Sequence, residues 1–174
     1  MPADLSPLIA ATTQWLTRSF PAAGGAIAVA LAEAQARQAV TVAAWLRYPT
    51  DADAALVLMA GPGGSARLDW VTGACLREET GAEEHAWRSW VDEVVVSWAA
   101  CLLADPSAAR KAEEAVAHGE HGRGAVDFRR LTAPGAHDRA AAVLLRHPDL
   151  LQPIARLHQA GLLDRLSQEA AQVR

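Results

Sequence analysis

Residues 80–105, TGAEEHAWRSWVDEVVVSWAACLLAD, contain half of the six tryptophans in the chain. Large apolar side chains recur there at steps of three and four residues, from Trp87 and Trp90 through Trp98 to Leu102. This spacing is the period of a helix with one apolar face. The stretch therefore predicts one long amphipathic helix that locates the core of the fold.

The apolar arc of this predicted helix is wider than a single stripe, because Val96 and Leu103 extend it on the flanks. We therefore expect a second surface against the helix, supplied by the C-terminal helices or by a second subunit. Tryptophan is enriched at protein–protein hot spots. Trp87, Trp90 and Trp98 are accordingly the predicted partner-binding residues, with core packing as the alternative role.

The composition indicates one globular domain. The chain has 174 residues, of which 51% are hydrophobic and 21% charged, and this length is enough to bury a real core. Charged residues interrupt every apolar run, so no membrane-spanning segment is predicted. The first residues lack a basic region followed by an apolar one, and Cys75 and Cys101 are the only cysteines. We expect a cytoplasmic protein with reduced thiols.

The residue pattern between positions 26 and 72 favours strands. Larger side chains alternate with alanine in two stretches, and two further short segments flank the glycine-rich turn at 61–65; alternation at period two is typical of strands. The four predicted strands are 26–33, 39–48, 55–60 and 66–72. The alternative for 26–38 is a helix, because alanine, glutamate, glutamine and arginine are good helix formers.

The predicted fold class is α+β. It combines an N-terminal helix over 6–20, an antiparallel meander of about four strands, the long Trp-rich helix packed on the sheet, and a helical C-terminal part. A helix is predicted over 106–118, and 126–131 reads as a last strand or an extended arm. We divide the chain into an α+β core domain, 1–122, and a C-terminal arm with short helices packed on the same domain, 123–174.

Two histidines and a carboxylate lie together in the stretch His118-Gly-Glu120-His121. Imidazole and carboxylate groups are common ligands of Zn²⁺ and related ions. Together with His137, these residues form the candidate metal site. The stretch lacks the His-Glu-x-x-His spacing that places two ligands on one helical face, so loop histidines in contact with solvent are the alternative.

Charge is unevenly distributed along the chain. Residues 1–122 carry 8 basic and 15 acidic side chains, whereas residues 123–174 carry 8 arginines and 5 acidic side chains. A basic C-terminal part could bind nucleic acid through Arg129, Arg130, Arg139 and Arg146. However, the C-terminal part has no dense Lys/Arg cluster and no interleaved aromatics for base stacking. We therefore predict no nucleic-acid partner; the two halves attract each other instead.

Because no catalytic constellation is visible, the leading hypothesis is a small protein-binding module, such as an adaptor, an accessory subunit or a chaperone-like protein. We expect a protein partner, self-association as a homodimer, no cofactor and no membrane contact. The alternative is an enzyme or sensor that binds a metal or small ligand near the His118–His121 loop. The sequence leaves open whether the protein is an enzyme.

Overall fold

The computed structural model describes residues 4–74, 82–123 and 126–172, and all regular structure within these ranges is helical. Two short 3₁₀ segments cover Ala82–Trp90 and His121–Arg123. The α-helices in chain order are α1 (Ser6–Ser19), α2 (Ala26–Arg47), α3 (Asp51–Ala60), α4 (Ala66–Thr72), α5 (Glu93–Ala104), α6 (Pro106–Ala117), α7 (Arg129–Thr132), α8 (Ala136–Ala141), α9 (Val143–Arg146) and α10 (Pro148–Gln172). None of the helices in the described ranges is long and apolar enough to cross a membrane.

The predicted α+β fold is wrong, since no strand or sheet occurs in the part of the chain that the structure describes. The predicted strands 26–33 and 39–48 are one helix, α2. Its buried residues fall at three- and four-residue steps, including Ala32, Ala36, Ala39, Val40 and Ala43. The apparent alternation arose because alanine is small enough for a helix or a strand, and the helix propensity of the segment prevails. The helical alternative for 26–38 is confirmed.

The predicted strands 55–60 and 66–72 are also wrong, because these segments form α3 and α4. A short apolar run does not distinguish a strand from a helix by periodicity. The decisive signal lies just before the run: Thr50 and Asp53 form a capping box that starts α3. Gly61 then ends the helix at a φ of 73°, a left-handed conformation that favours glycine.

The Trp-rich stretch is not one continuous helix. The 3₁₀ segment ends at Trp90, and α5 starts at Glu93. The break occurs because the side chain of Asp92 accepts a hydrogen bond from the Val94 N–H at 2.8 Å and caps a new helix. The α-helical predictions for 6–20 and 106–118 are confirmed as α1 and α6. The predicted strand or arm at 126–131 is wrong, because residues 126–128 are irregular and α7 follows.

The core is centred on α5, which packs against α2 on one side and α10 on the other. The second surface expected for the Trp-rich segment is therefore the C-terminal helix α10. One hydrophobic cluster joins residues from both parts of the chain, such as Val40 and Leu102 from the first and Leu131, Leu151 and Ile154 from the second. The core thus extends across the predicted boundary at residue 122.

Helix α10 bends at His158, whose φ of −136° is not helical. Ser97 of α5 compensates for the disturbed backbone bonding at this point. Its hydroxyl donates to the Ala155 carbonyl at 2.9 Å and accepts the His158 N–H at 2.9 Å. The Trp98 indole donates to the His158 carbonyl at 3.0 Å. Side chains of α5 therefore satisfy backbone groups that a straight helix would pair internally.

Candidate functional site

Three of the four predicted metal ligands border one cavity. His118, Glu120 and His121 line a cleft of about 580 Å³ that also involves Trp45 of α2 and Glu169 of α10. His137 lies apart from them, in a shallow groove where α8 approaches the start of α2. The structure therefore brings together the residues of the predicted loop and separates the fourth.

Hydrogen bonds show what the two loop histidines do in this conformation. His118 donates from Nδ1 to the Glu114 carbonyl at 2.8 Å, and His121 donates from Nε2 to the Tyr48 carbonyl at 2.7 Å. The His121 ring is also stacked on Trp45, with ring centroids 5.8 Å apart. In its neutral form each imidazole keeps one free lone pair. His118 thus bonds back to its own helix, α6, whereas His121 ties the loop to the end of α2, and each ring retains one nitrogen able to accept a ligand.

The carboxylate of the same loop is also engaged. Glu120 accepts a hydrogen bond from the Asp51 N–H at 3.1 Å, which links the loop to the first turn of α3. Among the residues that the structure describes, no three histidine, cysteine, aspartate or glutamate side chains lie close enough together to hold a metal ion. In this conformation the described residues of the cleft therefore present no set of three metal ligands.

Tyr48 connects this cleft to the core. Its hydroxyl donates a hydrogen bond to Asp92, the residue that caps α5. Burial, followed by the hydrogen bond and the negative charge of Asp92, raises the pKa of Tyr48 well above its usual range. The phenol therefore remains a neutral donor at physiological pH, and it acts as a structural tie between α2 and α5.

A second cavity, of about 770 Å³, runs between α6 and the last turns of α10. Its apolar wall includes Ala108, Leu163 and Leu166, and Lys111 and Glu114 lie at its rim. The two cavities share Ala115, His118 and Glu169 as lining residues, so they form one extended cleft along α6.

Ser97, His158 and Glu93 carry the residue types of a hydrolase triad, but their geometry excludes that role. The Ser97 hydroxyl is fully buried and bonds to backbone groups of α10. The His158 ring points instead to Glu93, with Nε2 2.8 Å from its carboxylate. A nucleophile requires a base within hydrogen-bond reach of its own oxygen, and this contact is missing here.

Cys101 is likewise a structural residue. Its thiol is buried and lies 3.4 Å from the Ala155 carbonyl. Burial raises the pKa of the Cys101 thiol to about 11, so the reactive thiolate does not form near neutral pH. Cys75, the other cysteine, lies outside the described residues.

The predicted partner-binding tryptophans lie in or against the core. Trp98 is only 6% exposed and bonds to α10, while Trp87 and Trp90 are half-buried and pack on the hydrophobic cluster. Arg18 and Arg88 both approach the Trp87 ring, at 5.4 Å from its centroid. These contacts leave little of the three indoles for a partner. The most exposed tryptophan is a different one, Trp70 of α4.

Several arginines of the C-terminal part contact the protein itself. Arg130 pairs with Asp138 at 2.7 Å, Arg139 donates to the Pro134 carbonyl at 2.6 Å, and Arg146 faces backbone carbonyls of α7. Intramolecular bonding of these side chains reduces the positive surface that could contact phosphates.

Among the residues that the structure describes, four large apolar side chains of α3 and α4 are exposed. Trp70 is 83% exposed, Met59 80%, Leu56 57% and Leu58 41%. Only Ala54 and Val57 of α3 are buried. Each of the four side chains leaves a large part of its apolar surface in solvent, and Leu56 and Met59 share one face of α3.

The exposed residues of α3 follow the helical period. Positions 52, 55, 56, 59 and 60 share one face of the helix, are all exposed, and are all apolar: Ala52, Ala55, Leu56, Met59 and Ala60. We call this face the α3 stripe. The helical spacing of these apolar residues is visible in the sequence. The same short apolar run also fits a central strand, so the spacing did not distinguish the two.

Comparisons with known proteins provide no further assignment. The chain matches no protein-family profile, no curated protein and no solved structure.

Proposed function

We propose that this protein is a small protein-binding module that works as a homodimer held together through the α3 stripe. The observation that carries the proposal is that α3 is apolar on its outward face as well as on its inward face. A helix that is apolar all round is ordinarily buried. Within one chain only Ala54 and Val57 are buried, so a second surface is needed to cover the rest.

The way α3 is anchored supports this proposal. The capping box of Thr50 and Asp53 fixes the first turn of the helix, and the Glu120 carboxylate accepts a hydrogen bond from the Asp51 N–H. The apolar stripe is therefore presented on an ordered helix, which lowers the entropy cost of binding. No charged side chain occurs between Ala54 and Ala66, so two copies of this surface would not repel each other.

The test is the mass of the protein in solution. Sedimentation velocity over a range of concentrations is expected to show the wild-type chain shifting toward twice the chain mass. The double variant Leu56→Asp, Met59→Asp should remain monomeric, because it would bury unpaired carboxylates in the contact. Ile27→Asp is the matched control, since Ile27 is 79% exposed on another helix. A wild-type protein that stays monomeric at high concentration would overturn the proposal.

The second candidate is an enzyme or sensor with a metal or small ligand in the cleft beside α6. It is supported by His118 and His121, whose ring N–H groups donate to backbone carbonyls, an arrangement also found for metal-binding histidines. Native mass spectrometry with Zn²⁺, Mn²⁺ or Ni²⁺ tests it, with His118→Ala, His121→Ala as the comparison. Absence of a metal adduct and of any thermal shift would exclude the metal form of this candidate.

A further inference from the structure

Four of the five residues of the α3 stripe show the same order of side-chain sizes in both directions along the helix, and Ala52 lies outside this pattern. About the point between Val57 and Leu58, Ala55 and Leu56 correspond in size to Ala60 and Met59. In an antiparallel helix pair the two-fold axis is perpendicular to the helices, so a residue on one side of the axis meets the residue from the other side in the second copy, and the relation is reciprocal. We infer that two copies pair α3 with α3 in antiparallel orientation, with Leu56 of each chain against Met59 of the other. This inference rests on the proposed homodimer.

The sizes of the side chains fit this arrangement. Leu56 and Met59 are three residues apart and lie on one face of α3. Ala52, Ala55 and Ala60 flank them with single methyl groups. Small flanking residues let two helix axes approach to the lower end of the usual range of about 8–10 Å, so the two large side chains of each copy can reach across the contact.

Charge favours antiparallel over parallel pairing. Asp51 and Asp53 are both in the first turn of α3. Parallel pairing would bring four carboxylates together at one end of the contact. Antiparallel pairing separates the two acidic ends by roughly 15 Å, the length of a ten-residue helix. It also places the N-terminus of each helix near the C-terminus of the other, which is the favourable arrangement of the helix dipoles.

The same distribution of charge argues against a lipid surface as the occupant. Helices that bind membranes carry lysine and arginine beside their apolar face. The only charged side chains of α3 are Asp51 and Asp53, which an anionic membrane would repel. The uncharged run from Ala54 to Ala66 continues past the end of α3, so a second apolar helix is the better complement.

Disulfide trapping tests the geometry. One chain carries Leu56→Cys with an affinity tag, the other carries Met59→Cys without it, and both carry Cys75→Ser. After mixing and oxidation with oxidised glutathione, the disulfide between the two different chains is expected to exceed each self-linked product several-fold. The control is Leu163→Cys, because Leu163 is 56% exposed on α10. The amount of disulfide formed at this position measures cross-linking by random collision.

The outcomes separate this inference from the proposed function. Dominant self-linked products from Leu56→Cys alone and Met59→Cys alone would show parallel pairing and overturn the inference. A protein that dimerises by sedimentation but yields no cross-link above the Leu163→Cys level uses another surface, which also overturns it. A monomer at every concentration would overturn the proposed homodimer itself.

Discussion

Helices α5 and α3 have similar apolar compositions but opposite environments. In α5, nine of twelve residues are buried, whereas α3 buries only two of ten. The difference arises from neighbours: α5 lies between α2 and α10, while the outward side of α3 has no neighbour among the residues that the structure describes. The apolar composition of a helix therefore does not by itself tell whether one face of the helix or all of it is buried within the chain.

The largest expected effect comes from weakening α5. Leu102 is fully buried, and Leu102→Ala should lower the free energy of unfolding by about 2–5 kcal/mol through lost burial and a cavity. Leu56→Ala in α3 is the matched control, and in dilute monomer it should change the free energy by less than about 0.5 kcal/mol. Urea unfolding monitored by circular dichroism measures both values. Equal decreases in the free energy of unfolding for the two variants would contradict the difference in burial between α5 and α3.

The next effect concerns α4, which follows α3 in the chain. Asp69 accepts the Trp15 indole N–H at 2.9 Å and pairs with Arg88 at 2.5 Å, and the side chains of this ion pair are mostly buried. Asp69→Asn should cost about 3 kcal/mol, because it removes the carboxylate that pairs with Arg88 at a mostly buried position. Glu33→Gln breaks a surface pair with Arg37 and should change stability by less than about 1 kcal/mol. The free energy of unfolding, measured by thermal or urea unfolding, distinguishes the two variants.

A smaller effect is expected at the link between α2 and α5. Tyr48→Phe removes the hydrogen bond to Asp92 and should cost about 1–2 kcal/mol. The pKa of Tyr48 is raised in the folded protein, so its stabilising contribution is complete below the ordinary tyrosine pKa of about 10. As the pH rises further, the unfolded chain loses this proton first and the free energy of unfolding falls.

This pH dependence can be observed directly because Tyr48 is the only tyrosine in the chain. Absorbance near 295 nm should show the phenolate appearing at a higher pH in the folded protein than in urea. The Tyr48→Phe variant should lose both the absorbance change and its share of the alkaline destabilisation. Identical folded and unfolded titrations would show that Tyr48 does not tie the two helices together.

The sequence predicts two of the helices and the position of the core well, but not the fold class. The helices over 6–20 and 106–118 carry clear start signals, such as Pro7 and Pro106 at their first turns. The alanine-rich segments of α2 and α3 carry weak periodicity, because alanine fits either face of a helix or strand. In these segments the capping box at Thr50 and the three- and four-residue spacing of larger side chains in α2 are the signals that indicate helices.

The candidate site was predictable only in part. The proximity of His118, Glu120 and His121 follows from their positions in the chain, but the bond from His121 to the Tyr48 carbonyl joins residues 73 positions apart. The exposed Trp70 was indistinguishable in sequence from the core Trp98, since burial depends on which helices pack together. Packing between helices that are distant in the chain, and not the local sequence pattern, thus decides which apolar residues stay exposed.

The most direct test of the account is the oxidation of Met59 at increasing protein concentration. Apart from Met1 the chain has no other methionine, so the sulfoxide in the tryptic peptide 48–67 reports on the α3 stripe. Met59 is 80% exposed in the single chain and should react readily with hydrogen peroxide when dilute. We expect its oxidation rate to fall several-fold as the homodimer forms. A rate that is independent of concentration, in protein that sediments as a dimer, would contradict the proposed interface.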